Sequence, residues 1–390
     1  MKTALAWVVL ALALGYARSA QPHAATSNTV LFDREIVRIL DEHCVMCHAE
    51  GGPSFPLSTY EQTWLTRDAI LREVIAQRMP PWPAVDGYGT FANANALTLR
   101  ETRFIVSWVE GLGPRNAGAV FLNTLAPAGG ASEVEATVDF TAFRLGEPDW
   151  IASVPAATRP IESRASTALS VRRAIVDARL ETQRRVRALE FRPADSSAIH
   201  AAVFSLEQTG QWLMTWTPWY GARELPSDSA FTLPAGARIV VDVYTARDPV
   251  AAAEVGRLAL HDATSDRPRE PFEIVLEAAE PIPARAERHR LHEEIVLAND
   301  VEVLALWPEV PAGIDSLEVS ARRTDGTVQV LVFARDVPAA WPTPFVLAEP
   351  VALSRGSRVS LIVYASNASE TALQERARLV VSAVAPAVAR

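Results

Sequence analysis

Apolar positions early in the chain recur at helical spacing, and those in its last two thirds alternate. Residues 32–40 place Phe32, Ile36, Val37, Ile39 and Leu40 on one helical stripe, with Asp33 as the expected cap and Glu35 in the first turn. A second stripe over 59–77 carries Trp64, Ile70, Leu71, Val74 and Ile75. A third helix opens at Thr98-Leu99-Arg100-Glu101, packs Phe104, Ile105, Trp108 and Val109, and stops at Gly111. Residues 114–140 have no periodic apolar face, and 126–132 hold only small residues and proline, which predicts a linker. From 141 onward, short runs rich in apolar and β-branched residues alternate with Pro/Gly turns: 186–191, 198–206, 238–244, 317–321, 327–333 and 359–364. The stretch from Leu233 to Tyr244 overlays the stretch from Leu353 to Tyr364 at a constant offset, with Leu, Gly, Arg, Val and Tyr coinciding. The pattern predicts a multidomain chain: an all-α domain over 29–113, the linker 114–140, and an all-β region of two β-sandwich subdomains over 141–270 and 271–390.

At 390 residues the chain is too long for one ordinary core. Its formal net charge of −9 argues against nucleic acid, whose phosphates need a basic surface. Residues 1–20 read as a signal peptide: Lys2, an uncharged apolar run over 4–14, then Gly15-Tyr16-Ala17 as a cleavage site, with a less favourable cut after Ala20. That run is well short of the roughly 20 residues a bilayer span needs. The expected product is exported, periplasmic or otherwise outside the cytoplasm, and does not span a membrane after cleavage.

Only two cysteines occur, and both lie in Cys44-Val45-Met46-Cys47-His48. This is the C-x-x-C-H spacing of covalent haem attachment. Two thiols must reach the two vinyl groups of one porphyrin edge while the histidine lies under the iron, which requires one short helical turn. A C-x-x-C redox disulfide leaves His48 without a role. A zinc site would need two distant histidines. The motif therefore predicts one haem c, attached through Cys44 and Cys47, with His48 as an axial ligand. Electron-transfer haems usually take a sixth ligand, often Met or His. Met1 leaves with the signal peptide, Met46 is inside the motif and Met214 lies in the β region, so Met79 in Arg78-Met79-Pro80-Pro81-Trp82 is the candidate. The competing reading of Met79 is a gap-filling core side chain. His43 precedes Cys44 on the same turn and is a poor candidate for the opposite haem face.

Glu35-Ile36, Cys44-x-x-Cys47-His48, Gly51-Gly52-Pro53, Tyr60, Met79-Pro80-Pro81-Trp82, Gly87-Tyr88-Gly89 and Trp108 together resemble the small cytochrome c domain at the N-terminus of many bacterial proteins with copper type II, ascorbate-dependent monooxygenase-like domains (peptidylglycine hydroxylating monooxygenase-like). The resemblance implies an all-α cytochrome c domain, His/Met ligation and electron transfer. The β region also resembles that family, through Leu145-Gly146-Glu147-Pro148-Asp149-Trp150, Glu190-Phe191-Arg192-Pro193 and Leu233-Pro234-Ala235-Gly236, and this implies jelly-roll-like sandwiches.

The family's copper ligands do not carry over. Its histidine pair falls on His200-Ala201, its next histidine on Tyr244 with Ala246 beyond, and its Pro-His-Met-His on Pro308-Glu309-Val310-Pro311. No methionine follows Met214, and His261, His289 and His292 fall on none of the ligand positions. His289 and His292 are spaced to share a metal on a helix, against the plainer reading of a solvated charged stretch over 285–294. No copper and no catalytic residue are expected. The expected function is that of a mono-haem electron carrier, not an enzyme, with the β region as docking or scaffold for a redox protein partner, for which a copper-containing homologue is one candidate. Two alternatives stand beside it: a copper-dependent, ascorbate-type monooxygenase with haem as relay, and a haem sensor of a small ligand.

Overall fold

A computed structural model describes residues 29–50, 52, 54–116, 143–157, 159–161, 169–195, 199–245, 254–310, 314–337, 343–374 and 376–387. The expected signal peptide and most of the expected linker lie outside them. None of the helices described is long and apolar enough to cross a membrane.

The N-terminal part holds a π-helical turn, Phe32–Ile36, and three helices: α1 (Val37–His43), α2 (Tyr60–Ile75) and α3 (Leu99–Glu110). Asp33 does not act as the cap. Leu31 takes that position, and its N–H donates to Glu35 Oε2 at 2.9 Å. Both longer helices start with a reciprocal capping box, Thr59 with Gln62 and Thr98 with Glu101. Each box satisfies two N–H groups that the helix end would otherwise leave open. Phe32, Ile36, Leu40, Val45, Tyr60, Ile105 and Trp108 form the core of this unit. Trp108 Nε1 donates to Pro114 O at 3.0 Å and Tyr60 Oη to Gly113 O at 2.9 Å, so the exit from α3 is tied back onto the helices.

The rest is antiparallel β. In the first sandwich, one sheet runs β1 (Trp150–Pro155), β10 (Glu254–Asp262), β4 (Arg184–Pro193), β7 (Ala222–Glu224), with β8 (Phe231–Leu233) also on β4. The facing sheet runs β2 (Arg159–Pro160), β3 (Ser170–Asp177), β9 (Arg238–Thr245), β5 (Ile199–Leu206), β6 (Trp212–Trp216). In the second sandwich the sheets are β11 (Phe272–Ala278), β18 (Ala377–Val384), β13 (Val301–Glu309), β16 (Phe345–Leu353), and β12 (His289–Val296), β17 (Arg358–Ala365), β14 (Ile314–Arg322), β15 (Val328–Arg335). Each sandwich buries its own apolar core. The two meet where Trp212 packs on Trp307, ring centroids 5.3 Å apart. Beside them the fully buried Arg223 donates to Leu213 O at 2.7 Å and Ser382 Oγ at 3.0 Å.

The expected architecture of an all-α cytochrome c domain followed by an all-β region is overturned. Among the described residues the chain is 45% strand and 13% helix, with three short helices and no evident all-α domain. The segment between α2 and α3 shows why. Pro80, Pro81 and Pro83 remove three backbone donors and bar helix. Residues 82–92 instead form a strap along the second sandwich. Val85 N–H donates to Phe333 O (2.8 Å) and Arg335 N–H to Pro83 O (3.0 Å); Ala92 N–H donates to Val346 O (2.8 Å) and Ala348 N–H to Thr90 O (2.9 Å). β15 and β16 are the end strands of their sheets, so the strap pairs with an open edge on each. Trp82 enters the core of the second sandwich, edge-on to Phe91 and Phe345 at 5.7 and 5.5 Å. The segment that links α2 to α3 thus places its tryptophan in the core of the second sandwich.

Candidate functional site

Cys44–His48 form a turn directly after α1, with Cys44 as the helix C-cap. Cys44 N–H and Val45 N–H both donate to Leu40 O (2.9 and 2.8 Å), and Cys47 N–H and His48 N–H both donate to Cys44 O (3.0 and 2.9 Å). On such a turn, positions i, i+3 and i+4 share a side. Cys44, Cys47 and His48 are therefore grouped, while Val45, 1% exposed, anchors the turn in the helical core.

His48 is nearly buried. Its Nδ1 lies 2.7 Å from Phe55 O, and its ring meets the Phe55 ring at 4.7 Å. A carbonyl only accepts, so Nδ1 carries the hydrogen and Nε2 keeps its lone pair. Burial lowers the pKa of His48, partly offset by the Phe55 carbonyl, and this favours the neutral ring. The loop that brings Phe55 back depends on Gly52. A Cβ there would stand 2.7 Å from Cys47 O and 2.9 Å from Ala49 O, both backbone atoms. Leu57 N–H then closes the loop on His48 O at 2.7 Å.

Both thiols are free, and burial pushes each up to about 12, with Cys47 adding to the effect at Cys44. Reactive C-x-x-C pairs have depressed thiol pKa values, and the shift at these two sulfurs runs the other way. They fit thiols held against an apolar partner. The donor set fits haem c: two sulfurs and one neutral imidazole nitrogen on one turn. Met79 lies on another element, 42% exposed at the root of the strap, and no described contact of the turn involves it.

The β-region histidines are scattered. His200 sits at a bulge in β5, with its neighbour Ala201 paired to Tyr244. His261 is buried on β10. His289 and His292 lie on a strand, β12, not a helix, so residues three apart point to opposite faces and cannot share one ion. Glu309 ends β13 and pairs with Arg378 at 2.6 Å. Pro311 and Ala246 lie outside the described residues.

Some contributors left little trace in the sequence. Phe55 acts through its carbonyl, which no residue type reveals. Asn95, 4% exposed, holds His43, and only a buried amide in an irregular stretch could have marked it.

No family model matches this chain, and no curated protein does. Among solved structures it is similar to the major capsid protein P2 of bacteriophage PM2 (12% identity, 60% of this chain and 97% of that one, TM-score 0.25). It is also similar to a peptide-N(4)-(N-acetyl-β-D-glucosaminyl)asparagine amidase (9%, 61% and 98%, TM-score 0.25) and to the allantoicase of Saccharomyces cerevisiae (9%, 58% and 83%, TM-score 0.20). Likenesses this weak carry no argument about what the chain does.

Proposed function

We propose that the chain is an exported mono-haem c-type electron-transfer protein. The observation that carries this reading is the turn in which two half-buried free thiols stand beside an imidazole whose Nδ1 is held by Phe55 O. Cys44 and Cys47 would each supply one sulfur for a thioether, and His48 Nε2 one axial nitrogen. Met79 is the sixth ligand in this reading. Bound haem supplies one-electron redox chemistry. The chain's own part is to orient His48, to seat the thiols away from water and to tie their element to a rigid β frame. That frame is the docking surface for a redox protein partner in this proposal. No copper is assigned, because the β-region histidines do not converge.

The ligand assignment is tested on the purified full chain. A thioether favours ferrous iron. Met79→Ala should remove the sulfur-to-iron charge-transfer band at the red end of the oxidised spectrum and lower the potential. A band unchanged in the variant would place the sixth ligand elsewhere.

A further inference from the structure

We propose a second metal site, for a divalent transition metal such as Zn²⁺, formed by Glu42, His43 and Glu101. It is separate from the haem reading and does not depend on it. These three residues are the described group of three His, Cys, Asp or Glu donors whose ligand atoms all lie within 4.8 Å of one another.

Two of the three donors are aimed by a neighbour. His43 Nδ1 lies 2.9 Å from Asn95 Oδ1. The Asn95 amide nitrogen turns to His43 O at 3.5 Å, which fixes the amide orientation. Nδ1 therefore carries a hydrogen, and Nε2 is the ring atom turned to the two carboxylates. The His43 side chain is 10% exposed, and its Nε2 is buried without a hydrogen bond. It faces Glu101 Oε1 at 3.5 Å and Glu42 Oε1 at 4.0 Å. Glu101 is fixed through its other oxygen, Oε2, which accepts from Thr98 N and Oγ1, each at 2.7 Å. The cap on α3 thus leaves Oε1 pointing at His43.

The spacing suits an ion. Ligands at about 2.0–2.2 Å on a tetrahedral zinc lie roughly 3.3–3.6 Å apart. The His43–Glu101 separation already falls in that range, and Glu42, whose side chain is 70% exposed, can swing to close the third edge. One imidazole and two carboxylates supply the donors, and two of the three, His43 through Nδ1 and Glu101 through Oε2, are already held by a hydrogen-bonded partner. A fourth position would be left to water. The competing account is a plain His43–Glu101 ion pair with no metal.

The test is zinc titration of the full chain against a chromophoric chelator, in a Cys44→Ser/Cys47→Ser background that removes thiolate ligation and covalent haem. The proposal expects one Zn²⁺ per chain, weakened at least tenfold by His43→Ala, by Glu101→Gln and by Glu42→Gln. Glu42→Gln alters an exposed side chain and guards against misfolding as the cause. Asn95→Ala should weaken binding about 10- to 100-fold, as loss of an orienting partner does. No stoichiometric zinc in this background, or affinity unmoved by His43→Ala or by Glu42→Gln, overturns the site and leaves the ion pair.

Discussion

The turn after α1 and the strand β12 carry the same kind of spacing with opposite results. Cys44, Cys47 and His48 stand at i, i+3 and i+4 on a helical turn and share one side. His289 and His292 stand at i and i+3 on a strand, paired with Ala365 and Ile362, and diverge to the two faces of the sheet. Spacing in sequence is therefore chemistry only once the backbone period is known. The helical part gathers its donors, and the β part spreads them over two sandwiches.

That contrast can be broken first at the joint between the regions. Trp82→Ala should cost about 3–5 kcal/mol, the usual range for an aromatic lost from a core. The loss should fall on the second sandwich, read as a lowered thermal midpoint of its cooperative transition. A midpoint unchanged within error would mean that the strap merely rests on the surface. Gly52→Ala acts at the other end of the comparison. Its new methyl group meets two backbone oxygens, so a cost of about 1–3 kcal/mol is expected, the scale of overpacking. Shifted His48 ligation should show in the visible spectrum of the loaded chain. The smallest effect belongs to β12. The double change His289→Ala/His292→Ala, on a charged and partly exposed strand, should move stability by less than about 0.5 kcal/mol and leave metal content unchanged. Loss of a bound metal in that variant would contradict the divergence of the two rings.

Much of the β architecture was legible, because alternation survives wherever one face of a strand meets a core. In β17, Val359, Leu361, Val363 and Ala365 are buried and the residues between them are not. The Cys44–His48 turn stood out in the sequence because its residue types are rare and tightly spaced. The strap was misread. Met79 to Trp82 looked like part of a helical haem domain, and nothing local in Trp82 says that its ring belongs to a core built more than two hundred residues later, with Phe345. The same holds for the Phe55 carbonyl and for the His43–Asn95–Glu101 group: each depends on a loop closing over a distance that periodicity does not encode. β12 was open to a helical reading because 285–294 is dense in charge and carries no clean alternation, its burial being mostly partial.

The central claim is covalent haem on the Cys44–His48 turn, and the most direct measurement is haem retained through denaturing electrophoresis of the purified full chain. The wild type should keep its haem. Cys44→Ala or Cys47→Ala should each leave one thioether and weaker attachment. The double variant should run free of haem, because His48 and Met79 hold iron only through bonds that denaturation breaks. Haem that stays with the double variant, or a wild type that carries none, would contradict the account.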